Sequence, residues 1–300
     1  MQKILFIAYI VIHISNIYSF SFDTLWGKCT LENNGSSIPN NEIIKIIKLE
    51  ILEMNSKYGP IPKNNFFITI TDDKEILKNH QHWKWSLGIT FNHPDKIILK
   101  DPSLSKISKK RFNQVLGHEL NHVMLNRFKY YHTIPRWFKE GFAMKSANEI
   151  TLNHKIQVAQ YINNKNLFDI SQYNKFKQMN RKDFNFSYAL SAIYILSLEK
   201  LYGNDINENI IYNLKQGQTF DKAFYSATKV SLAELNEILY VYIRKNFFWF
   251  KLINFPRNIL SLMPLLLVIG FFIKSHRNKK IKRQWEIEEQ LEELQNIDKN

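Results

Sequence analysis

One pentapeptide in the chain, His118-Glu119-Leu120-Asn121-His122, has residue types and a spacing that could hold a metal ion. Because four residues span little more than one helical turn, His118 and His122 would project from the same face of a helix. Two neutral imidazoles at that spacing can bind one zinc ion, and Glu119 can take a proton from water at the metal. Three polar residues on a solvated helix face are the simpler alternative, so this interpretation needs a third ligand.

The third ligand is expected from the segment that follows. The extended motif with a third histidine is excluded, because Leu125 and Phe128 occupy the positions of its glycine and its histidine. A carboxylate on a following helix is the other source, and Glu140 lies far enough downstream for the chain to reverse. Pro135 suits the first turn of such a helix, and Gly141 would allow close helix packing beside the metal. Glu140 as a solvated surface residue is the alternative.

Helices and a sheet must position these residues, and the hydrophobic pattern of residues 22–250 predicts both. Strands are predicted at 66–71 and 96–100, and the second is expected to bind a peptide as an added strand around 97–99. Helices are predicted at 41–54, 108–128, 135–148, 187–202, 208–215, 220–227 and 232–245. A small sheet with an edge strand, followed by several helices, is an α+β arrangement in one domain.

The paired motifs resemble the Peptidase MA-like branch of the gluzincin metallopeptidases. The resemblance covers about residues 96–242 and rests on the segments 117–122, 135–143, 188–191, 201–203, 217–224 and 231–235. It implies a zincin-like fold, one Zn²⁺ and hydrolysis of peptide bonds. It also implies that His118, His122 and Glu140 bind the zinc and that Glu119 is the general base.

The resemblance includes one departure and one further candidate. Many gluzincins have an acidic residue four positions after the ligand glutamate, where it supports a histidine, but this chain has Met144 there. We expect a backbone carbonyl or another side chain to take that role. Tyr188 resembles in position a tyrosine that can stabilise the oxyanion in related peptidases, and a packing role is the alternative.

The two ends of the chain predict targeting and membrane attachment. Residues 1–21 combine a lysine, an apolar run and small polar residues, which is typical of a signal peptide, and an uncleaved signal anchor is the alternative. Residues 258–273 carry no charge, and a basic cluster follows them. This pattern predicts one transmembrane helix, with the tail 274–300 in the cytoplasm and the catalytic domain 22–250 on the periplasmic side of the inner membrane.

Composition narrows the set of partners. The net charge of +14 could favour an anionic surface, but no compact arginine-rich patch stands out, so nucleic acid is not expected as a partner. The single cysteine, Cys29, excludes an intrachain disulfide and a cysteine-based zinc cluster. The sequence therefore predicts a membrane-anchored zinc metallopeptidase with a peptide or protein substrate. A catalytically inactive zincin-fold binding or scaffolding protein is the alternative, although such a protein has no need of Glu119.

Overall fold

The computed structural model describes residues 18–34, 36–71, 86–168, 181–253 and 256–297. The chain divides into two compact units, Met1–Phe248 and Trp249–Asn300. The first unit contains the sheet and all the residues of the candidate site, and the second is helical where it is described.

A mixed sheet forms one layer of the first unit. In the described residues its strands are β1 (Tyr18–Thr24), β2 (Gly27–Asn33), β3 (Phe66–Thr71), β4 (Gly88–Phe91) and β5 (Asp95–Lys100). Their spatial order is β1-β2-β3-β5-β4, with β2, β3 and β5 parallel and the two outer strands antiparallel to their neighbours. The two predicted strands are confirmed as β3 and β5. The sheet is larger than predicted, because strands β1, β2 and β4 were not expected.

The position of β5 overturns one expectation about substrate binding. Strand β5 is hydrogen-bonded to β3 on one side and to β4 on the other, so the segment 97–99 has no free edge for an added strand. The edge strand beside the predicted metal helix is β4 instead. Its four residues were not recognised in the sequence because they show no clear alternation of apolar and polar residues.

Most of the helices follow the sheet in the chain. Helix α1 (Asn40–Tyr58) instead connects the parallel strands β2 and β3, so the predicted α+β arrangement is wrong and the fold is a mixed α/β arrangement. The predicted helices are confirmed, and two further helices of the first unit, α2 and α5, were not predicted. The remaining helices of the first unit are α2 (Pro102–Ser105), α3 (Lys109–Asn126), α4 (Arg136–Ser146), α5 (Leu152–Gln160), α6 (Arg181–Tyr202), α7 (Ile206–Lys215), α8 (Phe220–Thr228) and α9 (Leu232–Phe247).

Two buried apolar clusters hold the helices that carry the candidate site. The first lies between the sheet and helices α1 and α3, which pack on each other. Its buried side chains include Ile43, Ile47, Ile68, Ile97, Phe112 and Leu116. The second is aromatic and fixes α4 against α6 and α8, with Trp137 and Phe138 both in contact with Phe220. Because burial of such side chains contributes about 1.5–3 kcal/mol each, these clusters fix the relative positions of α3 and α4.

The second unit contains α10 (Phe250–Ile253) and α11 (Pro256–Ile297). Within the described residues, no helix has an apolar stretch long enough to cross a membrane. The predicted transmembrane helix at 258–273 is therefore wrong. Its uncharged stretch would extend only about 24 Å as a helix, against a hydrocarbon core of about 30 Å, and the same helix continues into charged residues.

The predicted signal peptide, residues 1–21, lies mostly outside the described residues, which begin at Tyr18. Its last residues form the first half of β1, which pairs with β2 from Tyr18 opposite Asn33 to Thr24 opposite Gly27. Removal of residues 1–21 would therefore shorten this edge strand.

Candidate metal centre and active site

Helix α3 brings the two histidines of the motif to one point. Ser108 caps the helix by accepting a hydrogen bond from the backbone N–H of Arg111, so α3 begins well before the motif. The Nε2 atoms of His118 and His122 lie 3.1 Å apart. His118 is 6 % exposed. The spacing of four residues therefore places both imidazoles on one face of the helix, as the sequence predicts, with His118 buried and His122 partly exposed.

Helix α4 brings Glu140 to the same point. Its Oε2 atom lies 3.5 Å from Nε2 of His118 and 3.4 Å from Nε2 of His122. The neighbouring Gly141 allows α4 to approach α6 closely enough to place Glu140 here. A Cβ atom at residue 141 would lie 2.3 Å from the backbone oxygen of Ser191 in α6. The close helix packing that was expected at this glycine is therefore present, and the partner helix is α6.

The three side chains fit a zinc ion. Each offers one ligand atom, and these atoms lie within 4.8 Å of one another. Oε2 of Glu140 is buried and accepts no hydrogen bond in the described part of the chain. Burial raises the pKa of Glu140, but the two histidines and Arg136 outweigh it, so its pKa lies well below the ordinary value. Two imidazole nitrogens and one ionised carboxylate oxygen are a ligand set that zinc accepts, with a fourth position open.

Glu119 lies in the cavity beside these ligands, and its carboxylate is held from the sheet. Oγ1 of Thr90 in β4 donates a hydrogen bond to Oε2 of Glu119 at 2.7 Å. Gly88, in the same strand, leaves room for the side chain, because a Cβ atom there would lie 2.8 Å from Cγ of Glu119. Burial raises the pKa of Glu119 above the ordinary value, and the histidines and Thr90 only partly offset it. A carboxyl group with a raised pKa can both accept and release a proton.

Glu149 supports His118, and no pattern in the sequence predicted this role. Its Oε2 atom lies 2.9 Å from Nδ1 of His118, and its Oε1 atom accepts from Arg111 at 2.7 Å. The C-terminus of α4 places Glu149 beside His118. The positive φ of Asn148, with the hydrogen bond from the backbone N–H of Glu149 to the oxygen of Met144, forms a Schellman motif. The missing acid at Met144 is thus replaced by a residue five positions later, beyond the end of α4.

A cavity of about 930 Å³ contains the metal centre and extends over α4. Tyr188 of α6 lines it, so the structure brings this candidate to the site. Burial and Glu140 raise the pKa of Tyr188 well above its ordinary value, although Arg136 opposes them, and the hydroxyl group therefore keeps its proton at neutral pH. Lys139 also lines the cavity, and burial lowers its pKa. All five predicted site residues therefore surround one cavity.

Comparison with known proteins supports a family for this chain. The family model for the Peptidase MA superfamily matches residues 51–245. No curated protein matches the chain.

Similar solved structures include an M1 zinc metallopeptidase from Deinococcus radiodurans, at 14 % identity and a TM-score of 0.37, covering 72 % of this chain and 48 % of that one. They also include an aminopeptidase N family protein from Idiomarina loihiensis, at 13 % identity and a TM-score of 0.37, covering 78 % of this chain and 42 % of that one. The chain thus spans less than half the length of these two proteins.

Proposed function

This chain belongs to the Peptidase MA superfamily, and we propose that it is a zinc-dependent peptidase that hydrolyses peptide bonds. The observation that carries this proposal is the convergence of His118, His122 and Glu140 on one point, with the carboxylate of Glu119 in the same cavity. Two histidines and a glutamate would hold zinc without Glu119, so a purely structural site does not account for that buried carboxylate.

Each residue then has a defined role. Zinc held by the three ligands supplies Lewis-acid polarisation of the scissile carbonyl group and favours ionisation of water. The carboxylate of Glu119 accepts a proton from the attacking water and passes it to the nitrogen of the leaving amine. The hydroxyl group of Tyr188 donates a hydrogen bond to the carbonyl oxygen as negative charge develops on it.

Strand β4 is the proposed binding site for the backbone of the substrate. It lies at the edge of the sheet, and Gly88, Ile89 and Thr90 line the cavity. An extended peptide can pair with such an edge through main-chain hydrogen bonds, which demand little of its sequence. The hydrogen bond from Thr90 to Glu119 ties this strand to the general base.

The location of the enzyme forms a further part of the proposal. The signal-like pattern of residues 1–21 supports export of the peptidase to the extracytoplasmic space. Fractionation of cells that express the full chain with a C-terminal tag tests this, with a variant lacking residues 2–17 as the control. Recovery of both proteins in the cytoplasmic fraction would contradict export.

The peptidase proposal is tested with purified full-length protein. We expect about one zinc per wild-type chain, measured by metal analysis, and loss of the metal in Glu140→Ala and His118→Ala. Glu119→Gln should keep the zinc and lose at least about 10²-fold in cleavage of an unfolded protein. Glu237→Gln is a matched control, because Glu237 pairs with Lys165 on the surface. Cleavage by Glu119→Gln at the wild-type rate would refute the proposal.

A further inference from the structure

Lys139 places an ammonium group in the lining of the candidate active-site cavity. It lies on α4, one residue before Glu140, and its side chain is partly buried. Its Nζ atom lies 5.5 Å from the centre of the Tyr131 ring, which lines the same cavity. An aromatic face at this distance attracts a cation and restricts where the flexible lysine side chain can place its charge.

Lys139 forms no ion pair with a carboxylate of the described residues. In the described part of the chain, no carboxylate oxygen lies within 4.0 Å of its Nζ atom. The described carboxylates that line the cavity belong to Glu119 and Glu140. Glu140 contacts both histidines and Arg136, while Glu119 accepts from Thr90. The two described carboxylates of the cavity thus belong to the proposed metal ligand, Glu140, and to the proposed general base, Glu119.

We infer that the ammonium group of Lys139 binds a carboxylate of the substrate, so that the cavity takes anionic peptides. This inference rests on the proposed peptidase function. An ion pair formed in a partly desolvated cavity is stronger than one on the surface, and the contact with Tyr131 reduces the entropy lost on pairing. A neutral group at the same place would leave a partly buried cation unpaired, which disfavours such substrates.

The carboxylate can come from an aspartate or glutamate side chain or from the C-terminus of a peptide. Two pairs of fluorescent decapeptides separate these sources, and their binding to the zinc-loaded full-length Glu119→Gln protein is measured. One pair has glutamates or glutamines at alternating positions, with amidated C-termini. The other is the glutamine peptide with a free or an amidated C-terminus. We expect about tenfold tighter binding of the anionic member in one pair, which identifies the source.

Variants of Lys139 test whether this residue causes the preference. Lys139→Met in the Glu119→Gln background should reduce the affinity ratio to about one, and Lys139→Arg should retain most of it. Lys129→Met is the matched control, because Nζ of Lys129 lies 5.2 Å from the Tyr130 ring but outside the cavity lining. It should leave the ratio unchanged. Retained zinc in each variant shows that the site is still folded.

The outcomes separate this inference from the peptidase proposal. An affinity ratio near one in both peptide pairs, or a ratio that Lys139→Met does not change, overturns the carboxylate subsite. Neither outcome affects a cleavage activity of the wild-type protein. If the wild-type protein holds zinc but cleaves no peptide, the peptidase proposal fails, while a ratio that depends on Lys139 still supports the subsite.

Discussion

The carboxylate of Glu149 lies 2.9 Å from Nδ1 of His118, on the side of the imidazole away from Glu140. Since an ionised carboxylate can only accept hydrogen bonds, the hydrogen of this pair is on Nδ1. When this imidazole is neutral, the lone pair of its Nε2 atom faces the metal position. Arg111 pairs with the other oxygen of Glu149 at 2.7 Å and orients the carboxylate.

Loss of this hydrogen bond should weaken zinc binding. We expect Glu149→Ala to raise the dissociation constant for zinc by about 10–100-fold, because it frees the orientation and tautomer of His118. Glu149→Gln should have a smaller effect, since its amide oxygen can still accept from Nδ1. Competition of the full-length protein with a zinc chelator measures both variants. An Ala variant that holds zinc as tightly as the surface control Glu237→Gln would contradict this role.

Features that depend on local interactions could be predicted from the sequence, and features that depend on long-range contacts could not. His118, His122 and Glu140 could be predicted because helical spacing, a proline and a glycine are local signals. The position of Glu149 depends on how the C-terminus of α4 folds back over α3, which no periodicity encodes. Strand β4 was missed for the same reason, since its role follows from pairing with β5 and not from its own pattern. The apolar run at 258–273 gave a local signal that was too short for a membrane span.

The hydrogen bond from Thr90 to Glu119 should contribute to the rate of the proposed reaction. Thr90→Val removes the hydroxyl group that orients the general base, at nearly constant volume. Because hydrogen bonds to charged groups contribute about 1.5–3 kcal/mol, kcat/KM should fall by at least about tenfold. Zinc content should not change, since Thr90 is not a ligand. Thr90→Ser keeps the hydroxyl group and should recover most of the rate, and equal activity in the Val and wild-type proteins would refute the role.

Gly141 should be intolerant of any side chain. An added methyl group would lie 2.3 Å from the oxygen of Ser191 and 2.6 Å from Cγ1 of Ile195, so Gly141→Ala must push α4 away from α6. We expect a loss of stability of at least about 1–3 kcal/mol, seen as a lower Tm, together with weaker zinc binding because Glu140 moves.

Gly270→Ala is the matched control for this substitution. It is also a helical glycine, but beyond its chain neighbours and its own helix backbone, no described atom lies within 4 Å of the position of an added Cβ. Its Tm should equal that of the wild-type protein or exceed it slightly, because alanine favours the helix, and its zinc content should not change. A Tm for Gly141→Ala that matches this control would show that α4 and α6 can separate without cost.

Glu50 should make the stability of the first unit depend on pH. Its carboxylate lies against Gly117 of α3, where an added Cβ would be 3.0 Å from Oε2. Burial raises the pKa of Glu50 above the ordinary 4.5, and the nearby charge of Glu53 raises it further. As the pH rises through 4.5, the unfolded chain therefore ionises at this residue before the folded chain does. The resulting loss of stability begins at that pH and is complete above the raised pKa.

Glu50→Gln removes this penalty and should stabilise the protein at pH 7 but not at pH 4. Because the side chain is partly exposed and screened, the gain should be no more than about 1 kcal/mol. Chemical denaturation of the full-length protein at both pH values measures it. Glu53→Gln should give a smaller gain with the same dependence on pH, since it removes the repulsion and leaves the burial. A difference of equal size at pH 4 and pH 7 would assign the effect to packing against Gly117 and not to the charge.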